Sequence, residues 1–232
     1  MKVIPILQVN PLGLTLSQTE KMPCASYALP ASECITGSKL RAIPGSVCAT
    51  CYAMKGRALF GVVKSSRKKR FDALPTTVTG WLAWADSMVT TIEKKQGDTG
   101  FFRWFDSGDL QSVDMLYAII VIARKMPETK FWLPTHERTI VNEWFRRDER
   151  DTNDGIDPSE WYRFPDNLTV RVSGAMINGD VPTTRHGLTS TVYDDDGRAH
   201  GHACPCGIDR KTCGDCRACW DSGIANVSYK LH

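Results

Sequence analysis

From residue 100 onward the chain alternates short apolar runs with longer amphipathic ones, and this alternation limits the folds open to it more than any other feature. "GFFRWFD" at 100–106, "KFWLP" at 130–134 and "NLTVRVSG" at 167–174 are compact and rich in aromatic or β-branched side chains, so they read as buried strands. Between them, "SVDMLYAIIVIARKMPE" and "ERTIVNEWFRRDER" carry apolar residues at helical spacing. Strands joined through helices pair in parallel, because a parallel connection needs a crossover rather than a tight turn. The expected fold is α/β, either an open parallel sheet or a partial (β/α) barrel. In both, chemistry collects just past the carboxyl ends of the strands. Those ends read "DSGD", "PTHE" and "SGAM".

The flanks are organised differently. The first fifty residues are rich in Pro, Ser and Gly and read as loops around one strand at Val3 to Val9. Met54 to Leu74 reads as a helix, and "PTTVTGWLAWADSMVTTIEKKQG" as another, with Thr caps and a closing Gly. "STVYDDDGRAHGHA" reads as a hairpin around an Asp-Gly turn; its "DDDG", residues 194–197, lacks the remaining spacing of a calcium loop. A chain of 232 residues buries roughly 70–75% of the surface its unfolded form exposes. One domain is therefore expected, with a cysteine-containing segment at 1–53, a β/α core at 54–192 and a cysteine-rich segment at 193–232. No run approaches a membrane span and the N-terminal apolar stretch is too short for a signal sequence, so no membrane partner and a cytoplasmic location are expected.

Nine cysteines in a reducing compartment point to metal ligands rather than disulfides. They fall in two groups on either side of the β/α region. Cys213, Cys216 and Cys219 have the C-x2-C-x2-C spacing of a ferredoxin-type loop, with Cys204 and Cys206 close by. Four thiolates also suit zinc, and His200 and His202 offer further ligands. Cys34, Cys48 and Cys51, followed by Tyr52, place three thiolates together, which leaves one iron of a cubane open unless Cys24 closes the set. The two cysteine-rich segments are expected to meet at one end of the fold and bind metal.

The polar residues at the strand ends supply candidate chemistry. Asp106 and Asp109 form a carboxylate pair around Ser107 and Gly108, with Asp109 alternatively an N-cap for the helix that follows. His136, Glu137 and Arg138 follow the next strand, as catalytic and substrate-binding candidates. Arg171 and Ser173 share one face of their strand, where an Arg suits a carboxylate or phosphate. Trp81, Trp84, Trp104, Trp132, Trp144 and Trp161 read as packing. The net charge of +3 implies no nucleic-acid partner by itself, but Arg57, Lys64, Arg67, Lys68, Lys69 and Arg70 form a basic block, whereas 146–157 is mixed and largely acidic. That block reads either as a solvated helix face or as a phosphate contact surface.

The segments "GSVCATCYAMKGR", "RWFDSGDLQS", "FWLPTHE", "NLTVRVSGAMING" and "CGDCRACW" resemble the phage gene-product-88-type family over nearly the whole chain. More distantly, the order of cysteine motif, strand-DSGDL and strand-threonine is similar to three-cysteine-motif phage proteins that look like radical S-adenosylmethionine (SAM) enzymes. That likeness implies Cys34, Cys48 and Cys51 as ligands of a [4Fe-4S] cluster, residues 107–109 near the methionine amino group, and the C-terminal cysteines as an auxiliary cluster or zinc. Thirteen residues separate Cys34 from Cys48, where that pattern has three. The implied function is modification of a nucleotide or nucleic acid. A second likeness is to zinc-dependent base-exchanging transglycosylases of the tRNA-guanine type. It implies Asp106 and Asp109 as nucleophile and proton carrier and insertion of a 7-deazaguanine base into DNA. A third reading is a non-catalytic, metal-stabilised nucleic-acid binder.

Overall fold

The computed structural model describes residues 12, 14–96, 99–148, 163–195, 197–208 and 211–231. The expected strand at Val3 to Val9, most of the acidic stretch at 146–157, Trp161 and Asp196 lie outside these residues.

Among the described residues, eight strands form one open sheet. They are β1 (Ser17–Gln18), β2 (Ala25–Tyr27), β3 (Phe101–Trp104), β4 (Lys130–Thr135), β5 (Leu168–Ile177), β6 (Thr189–Tyr193), β7 (His202–Ala203) and β8 (Asn226–Lys230). Their order is β1-β2-β3-β4-β5-β6-β8-β7. β1 and β2 pair antiparallel and every other pairing is parallel. The sheet does not close, which decides between the two expected architectures.

Among the described residues five α-helices accompany it: α1 (Ile35–Leu40), α2 (Gly61–Asp72), α3 (Val78–Gln96), α4 (Val113–Lys125) and α5 (Arg138–Asp148). Thr77 starts α3 by accepting from the Gly80 amide, and Ser112 starts α4 by accepting from the Met115 amide. The helix expected over 54–74 is shorter at its beginning. Gly56 adopts a positive φ of 53° and Lys55 is extended, so residues 52–59 form two tight turns before α2 begins.

The expected hairpin is corrected. β6 and β7 do not pair with each other, because β8 lies between them and pairs in parallel with both. Both flanking connections are thus crossovers rather than turns.

Alternation along β3, β4 and β5 sorts the side chains into two layers. Phe102, Trp104, Phe131, Leu133, Val170 and Val172 point into one apolar core with Trp84, Met88 and Ile92 of α3 and Met115, Ile119 and Ile122 of α4. Each fully buried large side chain there contributes about 1.5–3 kcal/mol. Arg103, Trp132, Thr169 and Arg171 occupy the opposite face, where the C-terminal cysteine segment covers them. Trp220 donates its indole N–H to Phe102 O at 2.8 Å, and Thr169 donates to Trp220 O at 2.9 Å.

Arg171, expected to face a substrate, is instead the clamp of this third layer. It is fully buried, and its guanidinium donates to the carbonyls of Thr189, Ala218, Cys219, Asp221, Ile224 and Ala225 at 2.6–3.4 Å. No donor remains for an anionic ligand. Arg171→Met is expected to cost about 3–5 kcal/mol by orphaning those carbonyls. Chemical denaturation measures the loss, and limited proteolysis should cut first within 213–225; Arg171→Lys, lacking the planar fork, should rescue little.

Candidate active site at the carboxyl edge of the sheet

The turn after β3 is held in an unusual backbone conformation. Phe105 has a φ of 51° and Gly108 one of 79°. A left-handed aromatic residue costs about 1 kcal/mol or more, and such strain persists only where neighbours fix it. They do so here. Leu29 donates its amide to Ser107 O at 2.8 Å, the Ser107 hydroxyl returns a bond to Leu29 O at 2.9 Å, and the Tyr52 hydroxyl donates to Asp106 O. A Cβ on Gly108 would stand 2.5 Å from the Leu29 Cβ, so only glycine permits this approach. Ser107 and Gly108 therefore fix the turn to the chain leaving β2.

Asp109 is buried and does not cap α4, a role that belongs to Ser112. Its carboxylate accepts from Thr135 Oγ1 at 2.6 Å, from the His136 amide at 2.8 Å and from the Leu110 amide at 2.8 Å. This ties the β3 turn to the end of β4. Burial raises its pKa to about 7, opposed by those three donors and assisted by nearby Glu137. Asp106 is also buried, and its Oδ1 has no hydrogen-bond partner. Burial raises its pKa, while Arg103, Arg67 and Arg70 pull it down.

Glu137 is 2% exposed. Its two oxygens accept from the amide of Thr36 at 2.8 Å and the hydroxyl of Thr36 at 2.7 Å, which anchors α1 and the preceding Cys34. It positions the cysteine segment with both oxygens already engaged. His136 is half-buried beside the main chain of Ser173, and burial lowers its pKa. Ser173 shares a hydrogen bond with Ser190 at 3.1 Å. Arg138 is exposed at the start of α5.

The cysteines form two groups, but not the two expected. Cys34 precedes α1, while Cys48 and Cys51 bracket a tight turn capped by Ser46, whose hydroxyl accepts from the Ala49 amide. This segment is pinned to the carboxyl end of β5, where Ile177 donates to Gly45 O at 2.9 Å. A Cβ on Gly37 would lie 2.9 Å from the Cys34 Cβ, 3.5 Å from the Cys48 Sγ and 3.7 Å from the Cys34 Sγ. The absence of a side chain at Gly37 is what leaves room for both sulfurs. Burial pushes the Cys48 thiol up to about 11, and burial with the neighbouring Asp109, Cys51 and Cys48 raises Cys34 further.

Cys24 does not join this set. It packs with Cys204, Cys206, Cys216 and Cys219 against Met22, Trp132 and Trp220 on the opposite face of the sheet. Lys21 O accepts from the Cys213 amide at 2.9 Å, the Cys216 Sγ lies 3.6 Å from His202 Nε2, and the Cys219 Sγ lies 3.3 Å from the Tyr229 hydroxyl. Burial raises Cys24 and Cys219 to about 12 and Cys204 to about 11. The two cysteine-rich segments thus do not merge at one end: one lies at the carboxyl edge, the other across a sheet face. Among the described residues, no three His, Cys, Asp or Glu side chains already stand close enough to chelate one ion. A cavity of about 620 Å³ lies elsewhere, beside Phe101 and Lys130 at the amino ends of β3 and β4, with His202, Cys216 and Arg217.

Three contributors were not singled out from sequence: Thr36, Gly37 and Arg103. Gly37 follows Cys34 by three residues, and that closeness was the available signal. Arg103 lies 4.5 Å from the Trp132 ring centroid and donates to Phe105 O at 3.4 Å.

The family model for gene product 88 matches residues 8–222. The chain belongs to the gene product 88 family. No curated protein and no solved structure matches this family member. No helix among its described residues is long and apolar enough to cross a membrane.

The raised pKa of Asp109 has a testable sign. Between about pH 4 and 7 the folded chain keeps a proton that the unfolded chain releases, so this group's contribution to stability is largest in acid, declines toward pH 7 and is constant above it. In chelator-treated protein, carboxyl-carbon NMR should place the Asp109 midpoint near 7; a midpoint below 5 would mean that its three donors outweigh burial.

Proposed function

We propose that this protein is an iron–sulfur enzyme of the radical SAM type, acting on a nucleotide or nucleic acid in the cytoplasm of the host cell. The observation that carries this reading is the placement of Cys34, Cys48 and Cys51 in one segment at the carboxyl edge of a parallel sheet, beside the turn of residues 105–109. Gly37 supports the fit, because it leaves open the space between two of the thiols. Three thiolate ligands would hold a [4Fe-4S] cluster, and the cluster with SAM would supply reductive cleavage to a carbon radical.

The chain's own residues position and tune. Glu137 holds the segment containing Cys34 through Thr36. Asp109 locks the strand ends together, and its near-neutral pKa suits it to hold or release a proton beside a substrate. Asp106 offers an unpaired buried oxygen for a substrate donor. Arg41, which donates to Ala31 O at 2.8 Å, lies near enough to Cys48 to favour its thiolate.

Protein purified without oxygen is expected to contain iron and sulfide, absorb in the visible through sulfur-to-iron charge transfer, and cleave SAM to 5′-deoxyadenosine under strong reduction. Cys34→Ala, Cys48→Ala and Cys51→Ala should each abolish cleavage, and Gly37→Ala should lower iron retention with all thiols intact. Zinc without iron, together with Asp106- and Asp109-dependent exchange of labelled guanine from DNA, would replace this reading with the transglycosylase one.

A further inference from the structure

The residues entering α2 combine two surface features that seldom occur together. Val62 is 77% exposed, Tyr52 64% and Phe60 59%. Interleaved with them are Arg57, Lys64 and Lys68, all exposed. Single exposed apolar side chains are ordinary, but Leu59, Phe60 and Val62 are exposed together at the entry to α2, and such groupings mark interaction sites. The basic block is also redistributed relative to the sequence pattern. Arg70 is buried and spent on Thr15, Ser17 and Ala28 O, so it belongs to the fold and not to the surface.

The strip leads to the candidate site. Its inner end is Tyr52, whose hydroxyl donates to Asp106 O, so the phenol is anchored at its tip while the ring stays exposed. Beside it lies the Asp106 carboxyl with the partnerless Oδ1, in the field of Arg67 from the inner side of α2. Aromatic faces alternating with cations along a short track match the bases and phosphates of a single strand. An acidic peptide would use the cations but leave the rings without partners. A duplex hides its base faces.

We infer that the surface formed by Tyr52, Phe60 and the exposed basic residues of Arg57 to Lys68 binds single-stranded nucleic acid and feeds one base toward Asp106. This adds a substrate class to the function proposed above and rests on that reading only for the chemistry, because binding requires neither cluster nor SAM.

The test is fluorescence anisotropy with labelled single-stranded DNA, single-stranded RNA and the matching duplex, over a salt series. Both single strands are expected to bind more tightly than the duplex, and a preference between them names the natural substrate. Phe60→Ala should weaken binding about tenfold; Phe60 makes no side-chain cap to α2, so the helix is retained. Lys64→Glu with Lys68→Glu should weaken binding and reduce the salt slope by about 0.7 for each phosphate no longer neutralised. Lys211→Glu, on the C-terminal layer, should change nothing. Equal affinity for single strand, duplex and heparin, or wild-type binding by both the Phe60 and the lysine variants, would overturn the inference. Cys34→Ala protein should still bind, so failure of SAM cleavage and failure of this surface are read out separately.

Discussion

A single buried cation holds the third layer of this fold in place. Arg171 stands on β5 facing away from the helices, and bringing a guanidinium out of water costs several kcal/mol unless its donors are satisfied. Satisfaction comes from main-chain carbonyls at 189 and 218–225, rather than from a carboxylate. The carbonyls of an irregular segment have no ladder to join and need donors as much as Arg171 needs acceptors. The segment carrying the terminal cysteines can therefore lie against the sheet as loops around a short 3-10 turn at Ala218–Trp220. Trp220 and Trp132, with ring centroids 5.3 Å apart, add the apolar part of that contact.

Much of the β3–α4–β4–α5–β5 core was readable, because period and composition agree there. "SVDMLYAIIVIARK" has a helical stripe and folds as α4, with Ser112 rather than Asp109 as its cap. What was missed is short and non-local. β2, residues 25–27, is too short to show a period, and β8, residues 226–230, alternates polar and apolar residues over only five positions beside the cysteine loop; both are strands through the pairing their neighbours supply. β8 also reverses the outcome for residues 189–203, since a strand arriving from later in the chain splits the expected hairpin.

The candidate site shows the same division. Spacing brought Cys34, Cys48 and Cys51 to attention as a set, and the fold brings them to the carboxyl edge. Spacing was misleading for Cys24. It lies ten residues before Cys34, yet β2 begins at the next residue and carries the chain across the sheet, leaving Cys24 on the face that the terminal segment covers. Arg171 was read correctly as sharing a face with Ser173 and incorrectly as a substrate contact, because periodicity gives a side chain's direction but not what fills the space in front of it.

The carboxyl edge also has an electrostatic consequence. Asp109 and Glu137 are fixed by bonds to Thr135, His136 and Thr36, so neither can swing away from the thiols. Both raise the pKa of Cys34 and Cys48, on top of burial. Ionising the half-buried Cys34 and Cys48 thiols beside two anchored carboxylates is unfavourable, and the cluster proposed above would reverse that balance by bringing cationic charge to the same edge. The geometry that disfavours free thiolates would thus favour the metal proposed above. A proton on Asp109 lowers the negative charge beside Cys34 and Cys48, so affinity for the proposed cluster would be linked to the protonation of the strand-end carboxylate.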